Sequence, residues 1–110
     1  MSDSVFLGLE PQFADMATAR YAVLPVPYEA TVTYRCGTAA GPAAIIDASQ
    51  QVELFDEELM RECYEVGIAT LDAVTPAYDP AGMMQRVAAA AGPVMREGKF
   101  LLTLGGEHSI

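Results

Sequence analysis

The stretch that decides the fold is "KFLLTL" at 99–104 followed by "GGEHSI" at 105–110. Its first half is apolar almost throughout, with no polar alternation. Such a run suits a strand buried on both faces of a parallel sheet. Two glycines then allow a sharp turn and a close backbone approach. His108, the sole histidine of the 110 residues, stands directly after them. A histidine beyond a strand's C-terminal end points into the edge where open α/β sheets bind ligands. An imidazole there can ligate manganese, zinc, iron or copper, or act as a general base near neutral pH. It can also be a plain turn histidine, and the residues alone leave both readings open.

Working back from that strand, "YAVLPV" at 21–26 is a second unbroken apolar run and a second buried strand. Pro25 and Pro27 are expected to mark its end, since neither can donate to a ladder. A long loop over 27–41 follows. A helix is expected over 41–55, opened by Pro42 at its first position and facing the core with Ile45, Ala48, Val52 and Phe55. Another strand is expected over 66–71. Asp79 and Pro80 then open a helix reaching about Glu97, with Met84, Val87, Ala88, Ala91, Val94 and Met95 on one side. Gly92 and Pro93 are expected to kink or shorten it, and Gly98 to cap its end.

The order strand, helix, strand, helix, strand predicts an α/β domain with a mostly parallel sheet and right-handed crossovers. Residues 1–20 read as an arm leading into a domain that begins at 21. The loop 27–41 and the tail 105–110 should leave the same edge of the sheet. The pattern supplies few helices for strands this apolar, and the reading is that 21–110 is the front part of a larger domain, cut at 110.

Composition removes several functions. The formal net charge is −9, which argues against nucleic acid or an anionic membrane as a partner. The N-terminus has no basic, apolar leader pattern, and no stretch is long and apolar enough to span a bilayer. A cytoplasmic location is the default. Cys36 and Cys63 stand far apart and read as free thiols. No Gly-x-x-x-x-Gly-Lys-Ser/Thr motif exists, and "GTAAGPAA" at 37–44 lacks dinucleotide spacing, so a nucleotide-binding domain is disfavoured. "DEEL" at 56–59 reads as a solvated acidic face rather than a metal site. Tyr28, Glu29, Tyr34 and Arg35 either shape a substrate entrance or decorate the surface.

Three stretches together resemble the ureohydrolases, the arginase and agmatinase family: "VLPVPYEATVTYRCGTAAGPAAIIDAS", "YEVGIATLDAV" and "LLTLGGEHSI". The first looks closest to agmatinases, and the last is similar to the family's Gly-Gly-Asp/Glu-His-Ser signature. The resemblance implies a three-layer α/β/α fold, an oligomer when full length, and a centre of two manganese ions. It makes His108 a manganese ligand, with Gly105, Gly106, Glu107 and Ser109 as the loop presenting it. Glu107 stands where many members have Asp, outside the ligand set. The implied reaction is hydrolysis of the guanidinium group of agmatine to urea and putrescine. Guanidinobutyrate or arginine are the alternative substrates within the family, and a non-catalytic binding piece is the alternative outside it. The later Asp-x-His-x-Asp and Asp-x-Asp motifs are not present, and one imidazole cannot hold two divalent ions. Residues 1–110 alone are therefore expected to be inactive.

Overall fold

The computed structural model describes residues 5–28, 37–77 and 79–106. Within them lie three strands and two helices: β1 (Tyr21–Val26), α1 (Gly41–Ser49), β2 (Ile68–Thr70), α2 (Pro80–Arg96) and β3 (Phe100–Gly105). The strands form one parallel sheet in the order β2-β1-β3. The expected α/β alternation with a parallel sheet is what the chain adopts.

β1 is the centre of the sheet and of the core. Ala22, Val23, Leu24 and Val26 are all at most 1% exposed, as a strand covered on both faces requires. Successive side chains point to opposite faces. Leu24 and Val26 join Tyr28, Val74 and Met83 in a cluster beneath α2. Pro25 lies on the other face, beside Pro42 and Ile46 of α1. Helices thus cover opposite sides of the sheet, giving the three layers expected.

A proline inside the central strand needs an explanation. Pro25 pairs in register with Leu104. The carbonyls of Val23 and Pro25 accept from Leu71 N (2.8 Å) and Val74 N (3.0 Å), so both residues turn their polar groups toward the β2 side. On that side the regular β2 ladder has already ended at Thr70. The missing proline N–H therefore falls where no ladder acceptor waits, and β1 includes Pro25 and ends at Val26, just ahead of Pro27, as expected.

Several expected boundaries shift. α1 ends at Ser49, not at 55. The Ser49 hydroxyl donates to Ile46 O (2.6 Å) and accepts from Leu7 N (2.8 Å), so the arm crosses the helix end. Beyond it Val52 and Phe55 are exposed, and the buried positions of α1 are Pro42, Ile46 and Ser49. Ile45, expected on the core face, is 46% exposed. A 3-10 turn at Cys63–Val66 precedes β2 and shortens it. Gly67 separates them at φ 91°, with Ala19 Cα 2.7 Å from where its Cβ would stand. Only glycine fits both the backbone angle and that contact.

α2 is uninterrupted. Asp79 caps it, accepting from Gly82 N (2.8 Å), and Pro93 sits inside the helix without ending it. Pro93 and Ala89, whose carbonyl it leaves unmatched, are both exposed, so water can take the lost bond. The buried stripe is Met83 and Val94, with Val87, Ala90 and Ala91 packed against the core. Met84, Ala88 and Met95, expected on it, are exposed. β3 is an edge strand here, and its Phe100 and Leu102 are 63% and 43% exposed rather than buried on both faces. No helix among the described residues is long and apolar enough to cross a membrane.

Candidate functional site

Parallel pairing places the C-terminal ends of all three strands on one edge, as the sequence order predicted. The chain leaving β1 and the chain leaving β3 meet there. Gly106 N donates to Val26 O (3.1 Å), and Tyr28 N to the same carbonyl (2.9 Å). The 3-10 turn Thr38–Ala40 then brings the start of α1 back over the same point. A Cβ on Gly41 would stand 3.6 Å from Gly105 O.

Gly106 is enclosed from two sides. A Cβ added there would fall on the carbonyl oxygen of Tyr28, with Tyr28 N and Thr38 O each 3.1 Å away. The walls are backbone and cannot rotate aside as a side chain would. The glycine is thus required by a close approach between two chain segments far apart in sequence. The end of β1, the turn at 38 and the end of β3 are locked in one arrangement. Its consequence is to fix the point from which the chain proceeds to position 107.

Of the candidate residues, Gly105 and Gly106 stand at this edge. Glu107, His108 and Ser109 lie outside the described residues, as do Glu29, Tyr34, Arg35 and Cys36. Tyr28 is not a surface decoration. It is 1% exposed and packs with Leu24, Val26 and Met83. Among the described residues no three His, Cys, Asp or Glu side chains gather as a metal site. The acidic run at 56–59 closes a turn, because Asp56 accepts from Glu58 N (2.9 Å) and Leu59 N (3.1 Å). Cys63 is an exposed free thiol.

Thr38 is the residue that the sequence reading did not single out. Its Oγ1 is buried and makes no hydrogen bond, while its carbonyl forms part of the wall around Gly106. A signal for it exists in "GTAAGP", where a threonine sits between two glycines just ahead of a helix, but the pattern is too common to stand out.

Two cavities bracket the sheet. One of about 110 Å³ lies at the C-terminal edge between Pro25, Pro27, Ala39, Pro42, Ile46 and Leu71. Another of about 490 Å³ opens at the strand N-termini, bordered by Leu7, Tyr21, Leu54, Cys63, Tyr64 and Ile68. Beside the latter, a hydrogen bond to Glu62 and the charges of Glu62, Glu65 and Glu10 push the Tyr64 phenol up to about 12.

The arginase family model matches residues 19–110. The N(1)-aminopropylagmatine ureohydrolase of Synechocystis is 40% identical over 100 residues, covering 86% of this chain and 33% of its own length. The agmatinase of Bacillus anthracis is 31% identical over 110 residues, covering 99% of this chain and 37% of its own. The crystal structure of agmatine ureohydrolase of Thermoplasma volcanium superposes with a TM-score of 0.83 at 25% identity, over 98% of this chain and 36% of that one. The chain thus spans about a third of the length of the curated relatives it matches.

Proposed function

This chain belongs to the arginase family, and on that premise we propose that the protein carrying it is a manganese-dependent ureohydrolase acting on the guanidinium group of an agmatine-type substrate. The observation that supports this reading is the locked turn at Gly106, built where the strands end and two positions ahead of the lone histidine in the sequence. A cradle that admits no side chain fits a loop whose task is to present a ligand residue with little freedom. The imidazole of His108 is a donor that manganese accepts. No three His, Cys, Asp or Glu side chains gather among the described residues, so in this reading the remaining donors come from elsewhere in the protein.

In this reading His108 would hold one of two manganese ions, with Gly105, Gly106, Glu107 and Ser109 presenting it. When bound, the ions would supply a water acidified enough to attack the guanidinium carbon at neutral pH. The part played by this chain's own residues is positional. Val26, Tyr28 and Thr38 hold Gly106, which fixes the backbone two positions ahead of His108 in the sequence. The net charge of −9 favours the approach of both a divalent ion and a cationic guanidinium. The products are urea and the corresponding amine, putrescine where agmatine is the substrate. The location is proposed to be cytoplasmic, and the protein to be a homo-oligomer with no nucleic-acid or membrane partner.

A second substrate has an observation in its favour. The aminopropylagmatine-hydrolysing relative is 40% identical and the agmatinase 31%. Both share the agmatine skeleton, so the difference concerns the tail rather than the chemistry. The deciding experiment measures urea release by the gene product that carries this chain, with manganese, from agmatine and from N(1)-aminopropylagmatine. Turnover of either, lost on His108→Ala, is expected. Full activity of that variant would overturn the role given to His108. Residues 1–110 expressed alone are expected to release no urea from either compound.

A further inference from the structure

We propose that the cavity at the strand N-termini binds a linear alkyldiammonium ion, its methylene chain on the apolar wall and an ammonium group beside Glu53 and the Tyr64 ring. The cavity lies at the opposite end of the sheet from the locked turn. At about 490 Å³ it has the size of a small-molecule site. Its apolar wall includes Leu7, Tyr21 and Leu54, a surface that suits methylene groups. Its charges favour a cation. Glu53 is one of the lining residues, and the Tyr64 phenol takes a hydrogen bond from its surroundings at Glu62 and feels the charges of Glu62, Glu65 and Glu10. Against these carboxylates the lining sets one basic residue, Arg61. An ammonium group also gains from the face of a tyrosine ring.

The backbone around the cavity is strained. Among the described residues two non-glycine residues have positive φ, Leu7 at 64° and Met60 at 53°. Leu7 lines the cavity, and Met60 directly precedes Arg61, which lines it too. Left-handed backbone at such bulky residues is unfavourable and gathers at ligand clamps. The strain at Leu7 is held in place from other elements. Leu7 N donates to Ser49 Oγ of α1 (2.8 Å) and Phe6 N to Thr70 Oγ1 of β2 (2.9 Å). The wall is thus fixed by the sheet and a helix. If the reaction is the one proposed above, its amine product belongs to this ligand class, and the cavity is a second site for that product. That last link rests on the proposed function, whereas the binding does not.

The test titrates putrescine into the manganese-free gene product that carries this chain, by calorimetry. Saturable binding is expected. Glu53→Lys, at an exposed position, should weaken it about tenfold, and Arg61→Gln should strengthen it about threefold. No binding by the wild type, or wild-type affinity in Glu53→Lys, would overturn the proposal. So would binding of hexanoate in place of putrescine with loss of that binding in Arg61→Gln, which would make this an anion site. Cys63 lines the same cavity and is exposed, so iodoacetamide should label it and putrescine should slow the labelling. A Cys63 that stays unlabelled in the native protein would mean that another part of the protein fills the cavity, and would also overturn the proposal. Putrescine binding with the expected response to both variants, in a protein that releases no urea, would support this site and overturn only the proposed function.

Discussion

At the scale of single residues, this chain uses local devices whose effects can be measured one at a time. Asp79 accepts a 2.8 Å hydrogen bond from Gly82 N at the start of α2. Asp79→Ala should therefore cost about 1 kcal/mol of folding stability, read from urea denaturation midpoints. The Tyr64 phenol is held up to about 12, first by its hydrogen bond to Glu62, then by desolvation and the charges of neighbouring carboxylates. A group whose pKa is raised on folding binds its proton more tightly in the native state. Its contribution is complete below pH 10, the ordinary tyrosine value, and fades as pH rises from there toward 12. A spectrophotometric titration at alkaline pH, with Tyr64→Phe as the subtraction, should reveal one late-ionising phenol. Glu62→Gln should bring that midpoint back toward the ordinary value, and an unchanged midpoint would refute the assignment. The Asp79 cap was legible in the sequence, because an Asp-Pro pair before an apolar periodic stretch has one natural reading. The Tyr64 interaction was not, because it depends on a turn that folds two acidic neighbours toward the ring.

At the scale of elements, burial separates neighbours that sequence treats alike. Met83 is fully buried beneath β1, and Met84 is 39% exposed. Met83→Ala should cost about 3 kcal/mol, and Met84→Ala under about 0.5 kcal/mol. Comparable losses from the two would mean that α2 is rotated from the position described here. The periodicity of α2 was evident in sequence, but its phase was assigned one residue off at Met83 and Met84. Two adjacent methionines fit either phase, and only the packing of Leu24, Val26 and Tyr28 chooses between them. The end of α1 was misplaced for a related reason. Ile45, Val52 and Phe55 keep a helical spacing, but the arm bonds Ser49 through Leu7 and the helix stops there. An interaction between residues 42 positions apart leaves no trace in a local pattern.

At the scale of the whole molecule, β3 is an edge of the sheet among the described residues. Phe100 and Leu102 are exposed on its surface, and the matched solved structure continues well beyond the shared region. The locked turn at Gly106 lies at the C-terminal end of β3. In the proposed reading the activity needs ligand groups that the described residues do not gather. Removing manganese from the gene product that carries this chain, by dialysis against a chelator, should abolish urea release, and re-addition should restore it. Persistent activity after chelation would exclude the metal centre as the source of catalysis.

The sequence by itself determined the α/β alternation, the parallel sheet and the family. An apolar run without polar alternation, such as β1, suits a strand covered on both faces, and three stretches together carry the family resemblance. Only the tertiary structure decided the phase of α2, the end of α1 and the close approach that requires Gly106. Each depends on contact between segments distant in the chain. A glycine required by backbone 78 positions away, or a hydroxyl enclosed without a partner, becomes visible only once the chain is folded.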